Sequence, residues 1–268
     1  DVPREWLEER GSLPAVYVKY VDALRLIEAK RVEVELRQRY WDVVTYNVVA
    51  EVEGRKYPEE VVLVTAHYDS EREVRGATDN AGGVALALAL ARAMASEKPK
   101  RTVRFLFTTG EELGLRGSLS YVEKRGDSLD EIKVVLNLDV HGQALGQCKC
   151  VVTGNQKMAA FAEALAKSMG LRIDVTEGVM SSDSAAFAYK GVPAINLTRS
   201  GGPSHDIHTE LDGPEYLHPI AFRVAGAYAL KLLSELADAE EFPLPREVSE
   251  DVKRKVRKYF EERGFGPG

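Results

Sequence analysis

Cysteine is nearly absent: the 268 residues contain two, Cys148 and Cys150, one residue apart in QCKCVVTG. Side chains two apart in a strand share a face, and a bridge between them would strain the backbone. Small core side chains are therefore the expected role for the pair, which favours a reducing, intracellular setting. Long apolar runs are missing too, and none nears the ~20 residues needed to cross a bilayer. Positive charge is in deficit, 36 Lys and Arg against 42 Asp and Glu, for a net −6. That argues against nucleic acid or an anionic membrane as a partner. Asn and Gln together number nine while Glu, Lys and Arg abound, a composition that resembles a thermophile's surface. The chain opens on Asp1 rather than Met, so the start reads as a processing site or a boundary that hides any targeting signal.

What is present is alternation of strand-like and helix-like segments from about residue 41. WDVVTYNVVAEVE reads as a long strand and EGRKYPEE as the turn of a hairpin leading to VVLVTAH (61–67). NAGGVALALALARAMASEK is apolar almost all round and predicts a helix packed on both sides. Strands follow at 101–109, 132–140 and CKCVVTG, with helices at 117–126 and over NQKMAAFAEALAKSMG, closed by Gly170. SDSAAFAYKG predicts a short helix, VPAINLT a strand, and 214–238 a long helix with Pro214 in its first turn and His218 inside it. Residues 12–40 read as strand, helix, strand. Val248, Val252, Val256 and Phe260, four apart, make one apolar stripe that should dock a C-terminal helix on the body. Such alternation implies a mostly parallel sheet with helices on both faces.

Acids and histidines gather where strands end. His67 and Asp69 follow the strand at 61–66, and Asp79 sits at the start of the apolar helix. Glu111 and Glu112 follow 101–109, Asp139 ends 132–138, and His208 lies in RSGGPSHDIHTELDG. The carboxyl ends of parallel strands form one rim, where ligands bind in open α/β sheets. Five carboxylates and two imidazoles on that rim would repel or protonate without added positive charge. No lysine or arginine stands beside each of them, so metal is the expected counter-charge, and His with carboxylate suits Zn²⁺.

AHYDS, GATDNAGG, TTGEELGLRGS, NLDV and HTELD, in this order, resemble the motifs of the dizinc aminopeptidase family that includes bacterial leucyl and Streptomyces-type aminopeptidases. The resemblance runs over roughly 45–238. It implies a three-layer α/β/α zinc-exopeptidase (phosphorylase/hydrolase-like) fold with a mostly parallel, mixed central sheet. It also implies two Zn²⁺ per chain, replaceable by Co²⁺ or Mn²⁺. His67 and Asp139 would hold one ion, Glu112 and His208 the other, and Asp79 would bridge them before a cis peptide to Asn80. Glu111 would be the general base, with Asp69 behind His67. The substrates implied are peptides with a free N-terminus; the oligomeric state is open. Residues 13–54 resemble the end of a protease-associated domain, which would make 1–40 either its tail or an extension of the peptidase's own sheet, and 41–268 the catalytic domain.

Three departures stand out. Ser182-Asp183-Ser184 replaces a commoner Ser-Asp-His. Ile207 stands where several relatives have a tyrosine that helps hold the oxyanion, leaving His205 or Ser204 as candidates for that task. His141 follows the Asp139 strand as either a polar strand end or a substrate contact. The rival readings are a carboxypeptidase of the same fold using Arg199 for the substrate carboxylate, a single-zinc enzyme like glutaminyl cyclase, and a non-catalytic receptor-like domain.

Overall fold

The computed structural model describes residues 16, 18–35, 37, 42–264 and 266. Seven strands form one mixed sheet: β1 (Val48–Val52), β2 (Tyr57–His67), β3 (Arg101–Thr108), β4 (Ile132–Leu138), β5 (Gln147–Thr153), β6 (Asp174–Glu177) and β7 (Ala194–Ser200), in the order β1-β3-β2-β4-β7-β5-β6. The central strands β3, β2, β4 and β7 run parallel, while β1 is antiparallel to β3 and β5 to β7. β6, parallel to β5, is a four-residue edge strand that the sequence reading did not anticipate.

The described residues form seven α-helices: α1 (Tyr20–Glu28), α2 (Gly82–Glu97), α3 (Arg116–Arg125), α4 (Gln156–Ser168), α5 (Ser184–Tyr189), α6 (Pro219–Asp238) and α7 (Glu250–Arg263). Alternation along β2 divides the core. Val62, Val64 and Ala66 pack with Leu86 and Leu90 of α2, Met158 of α4 and Leu232 of α6. Val61 and Leu63 point the other way, toward Leu119 of α3, Phe187 of α5 and Val256 and Phe260 of α7. The result is the expected three-layer α/β/α arrangement. Cys148 and Cys150 are both buried, in keeping with core side chains.

Several expectations are corrected. The hairpin does not form, because β3 lies between β1 and β2. The connecting turn instead wraps the start of β3, with Gly54 N–H donating to Thr102 Oγ1 (3.0 Å) and Arg55 N–H to the Pro99 carbonyl (3.0 Å). The first strand is also shorter than its apolar pattern, starting at Val48 rather than near 41. Helix α2 buries one face only, and Leu88 on the other is 55 % exposed. The helix expected from Pro214 breaks. A single 3₁₀ turn (Pro214–Tyr216) ends at Leu217, and α6 restarts at Pro219 with His218 as its N-cap, Nδ1 accepting from Ile220 N–H at 3.2 Å. Proline disfavours helical geometry in the residue before it, and the His-Pro pair marks that boundary. Among the described residues near the N-terminus only α1 forms; residues 31–35 are not strand, and the strand expected before α1 falls largely outside the described residues. No residue of α1 is buried.

The C-terminal stripe docks as expected, with Val252, Val256 and Phe260 of α7 and Val248 just before it all buried. Phe260 meets Tyr189 of α5 edge-on, centroids 5.3 Å apart. Replacing Phe260 by Ala should lower the unfolding free energy by about 3–5 kcal/mol, as buried aromatic truncations do. Urea titration checks this, and a change below about 0.5 kcal/mol, the size of a surface substitution, would mean the stripe does not hold the helix.

Candidate metal centre

Because β3, β2 and β4 are parallel neighbours, their carboxyl ends bring Glu111–Glu112, His67 and Asp139 to one rim. The loop after β7 brings His208 to it, and the turn before α2 brings Asp79. His67 Nε2 lies 3.0 Å from Asp79 Oδ1 and 3.2 Å from Asp139 Oδ1. His208 Nε2 lies 3.1 Å from Asp79 Oδ2 and 3.2 Å from Glu112 Oε2. Asp79 thus turns one oxygen to each imidazole. Glu111 and Glu112 also offer donor atoms within 4.8 Å of one on His67.

These spacings test whether a metal fits. Four donors about 2.0–2.1 Å from a zinc ion sit about 3.3 Å from one another. The His–carboxylate separations match such an edge. Glu112 Oε1 is buried with no hydrogen-bond partner, an orphan that a cation would satisfy. The donor set fits zinc.

Electrostatics point the same way. Burial first, then the charges of Asp139, Asp183 and Glu112, push the Glu111 pKa well above its ordinary value, although the nearby His67 opposes the shift. Burial alone would lower the His67 pKa, but Asp139, Asp69 and Asp79 raise it well above normal. The His208 pKa is raised to about 10 by hydrogen bonds to Asp79 and Glu112. Burial opposes ionisation of Asp79, yet His208 and His67 bring its pKa down to about 2. Without metal, protonated imidazoles supply the missing positive charge.

The backbone holds these groups in place. Asn80 Oδ1 accepts from Gly83 N–H (3.1 Å) and Val140 N–H (3.2 Å), and its Nδ2 donates to the Leu138 carbonyl (2.9 Å), tying the start of α2 to the end of β4. A Cβ on Gly82 would lie 2.2 Å from the His141 carbonyl oxygen, and one on Gly83 2.5 Å from that of Leu138. Only glycine permits this approach. The Asp79–Asn80 peptide is cis, as the resemblance implied. Asp69 accepts from the backbone N–H groups of Glu111 (3.2 Å) and Glu112 (3.3 Å), while its carbonyl lies 3.1 Å from His67 Nδ1.

Asp212 was part of the quoted HTELD segment but had no role in the sequence reading. It is 3 % exposed, accepts from Thr78 N–H (2.9 Å) and Asp79 N–H (3.0 Å), and also bonds the Thr78 hydroxyl. An acid in a polar loop gave no signal of that clamp. Glu71, in the polar loop after β2, offers a donor within 4.8 Å of those on Glu112 and His208.

Other candidates fall elsewhere. Arg199 is buried, and its guanidinium is committed to the carbonyls of Gln143 (2.6 Å) and Ala144 (2.9 Å) and to Cys148 Sγ (3.3 Å). It braces a loop and is not free for a substrate carboxylate. His141 is 1 % exposed, with Nε2 2.9 Å from the Leu197 carbonyl oxygen, and burial lowers its pKa to about 4. It is therefore a buried polar residue just past the end of β4 and not a substrate contact. His205 is exposed, and the side chain of Ser204 lies outside the described residues. Asp183 is fully buried and bonded to the Thr108 hydroxyl.

An α/β/α sheet carrying this donor set at its rim defines a metallopeptidase class, and the comparisons name the family. Peptidase family M28 matches residues 47–233, so the chain belongs to that family. The chain is 26 % identical over 264 residues to aminopeptidase YwaD of Bacillus subtilis, covering 94 % of this chain and 57 % of that protein. Carboxypeptidase Q of Bos taurus is 30 % identical over 226 residues, covering 81 % of this chain and 47 % of that one. The structure of BSAP, a zinc aminopeptidase from Bacillus subtilis, superposes with a TM-score of 0.67 at 25 % identity over 77 % of this chain and 53 % of that one. The chain spans little more than half the length of these relatives at most. Among the described residues no helix is long and apolar enough to cross a membrane.

Two measurements test the centre. Asp212→Ala should weaken zinc binding about 10–100-fold, the usual cost of losing a group that orients a ligand. Competition with a chromogenic chelator reads this, and unchanged affinity would remove Asp212 from the centre. The raised pKa of His208 stabilises the metal-free fold fully below the ordinary imidazole value of 6.5, and that contribution is lost as pH rises through about 10. Denaturation midpoints in chelator should therefore fall across that window; a flat profile would contradict the proton-for-metal balance.

Proposed function

We propose that the chain is the catalytic part of a dizinc aminopeptidase that hydrolyses the first peptide bond of substrates with a free amino terminus. The observation that carries this is the divided carboxylate of Asp79, with one oxygen beside His67 and the other beside His208. On this reading His67, Asp79 and Asp139 hold one zinc ion, and Asp79, Glu112 and His208 hold the second. When bound, two such ions polarise a peptide carbonyl and lower the pKa of a water molecule. Glu111, half-buried and within 4.8 Å of donor atoms on His67 and Glu112, takes the proton from the attacking water on its carboxylate and returns it to the leaving amine. Asp69 keeps His67 oriented and anchors the backbone of both glutamates. Residues 41–268 form the catalytic unit and 1–40 an accessory segment, a division supported by the lack of buried residues in α1.

A free amine suits a rim lined by Glu111, Glu112, Asp79 and Asp139, whose field favours a cation. The name of the bovine relative favours a second reading, a carboxypeptidase. The commitment of Arg199 to the 143–148 loop weakens it, since that arginine was the candidate carboxylate anchor.

The test is hydrolysis of leucine 4-nitroanilide and of its amine-acetylated form, with and without chelator. Cleavage of the free-amine anilide alone, abolished by chelator, is expected; release of C-terminal residues from acetylated peptides instead would establish the carboxypeptidase reading. Glu111→Gln should lower kcat by about 10²–10⁴-fold, the range for a general base, while metal content stays at two ions per chain. Loss of metal in that variant would make Glu111 a ligand instead.

A further inference from the structure

The two halves of the centre are not equivalent, and the difference lies in Glu71. The first half, His67, Asp79 and Asp139, is buried throughout. The second is more open, with the His208 side chain 51 % exposed. Beside it stands a third carboxylate: Glu71 offers an oxygen within 4.8 Å of donor atoms on both Glu112 and His208. A carboxylate near a rim is common without any ligand, but two further observations separate this one from a solvated surface acid.

The first is the neighbouring orphan. The Glu112 side chain is 5 % exposed, and while Oε2 faces His208, Oε1 has no partner at all. A buried, unpaired carboxylate oxygen costs free energy that a cation at this spot would recover. The second is that the loop presenting Glu71 is pinned. Ser70 Oγ donates to the Val74 carbonyl (3.2 Å), and Val74 N–H donates to the Glu71 carbonyl (3.1 Å). A Cβ at Gly76 would lie 2.6 Å from Ser70 Cβ, so the two ends of the loop are in close approach there. Glu71 is thus presented by a compact turn directly after β2, four residues beyond His67.

We propose that Glu71 is a further ligand of the second metal position, completing a set of one imidazole (His208) and three carboxylates (Glu112, Glu71 and the shared Asp79). This rests on the two-ion reading above. Its chemical consequence is selectivity. An oxygen-rich, partly open set favours harder ions and exchanges them more readily than the buried set around His67. The second position should therefore load last, lose its ion first, and accept Mn²⁺ in place of zinc, while the first keeps zinc.

The experiment is metal titration of the metal-free full chain by calorimetry, with chelator competition for the tight phase, comparing wild type with Glu71→Gln. Glutamine keeps the size of the side chain and removes its charge; thermal unfolding in chelator confirms that the variant is folded. Wild type should take up two zinc ions in two phases. Glu71→Gln should weaken the second phase at least about tenfold, leave the first unchanged, and lose the ability to hold one Mn²⁺ beside one Zn²⁺. Uptake of a single ion by wild type would overturn both the two-ion reading and this assignment. Two ions with identical affinities in wild type and variant would overturn this assignment alone. A variant with unchanged metal binding but a raised KM for free-amine substrates would also overturn it, and would make Glu71 an anchor for the substrate ammonium.

Discussion

The whole centre depends on one close approach, the start of α2 lying directly against the end of β4. Gly82 and Gly83 make it sterically possible, and Asn80 fixes it with hydrogen bonds to both elements. Through that contact Asp79 and Asp139 come to share His67, although the two acids are far apart in sequence. Crowding carboxylates in this way is unfavourable by itself, and burial makes it more so. Burial and that crowding push the Glu111 pKa well above the usual carboxylate range, while hydrogen bonds with His208 and His67 hold that of Asp79 below it. Strain shows in the left-handed backbone of Val140, φ +59, just past β4, a conformation that β-branched residues rarely adopt. The fold bears these costs at one rim, where bound zinc would offset them.

Much of this was legible from the chain because the informative residues sit at element boundaries. The strand runs that end in His67, Glu111–Glu112 and Asp139 are short, apolar and β-branched, which marks them as buried parallel strands. Parallel neighbours must place their carboxyl ends together. The C-terminal stripe was equally plain, since Val248, Val252, Val256 and Phe260 recur at helical spacing.

What escaped did so for physical reasons. A local turn signal at 53–60 suggested a hairpin, but pairing is decided by which strand best covers β3, and that is a long-range contact with no local trace. The apolar circumference of α2 implied burial on every side, whereas Ala and Leu also simply favour helix, and Leu88 faces outward. Asp212 and Glu71 lie in polar loops where acids are ordinary, and only the fold shows that one clamps the Asp79 turn and the other faces His208. Arg199 illustrates the converse: a lone cation late in a strand suggested a ligand, yet its side chain turns back to brace its own neighbourhood.

The sheet order has a consequence for how the chain assembles. β3 is inserted between two strands that precede it, so β1 and β2 cannot reach their final spacing until later sequence arrives. During synthesis the first two strands would emerge with a gap between them. Non-local insertion of this kind slows folding, and unfilled strand edges are sticky while they wait. The turn at Gly54, which grips the first residues of β3, is placed to guide that late arrival into its slot.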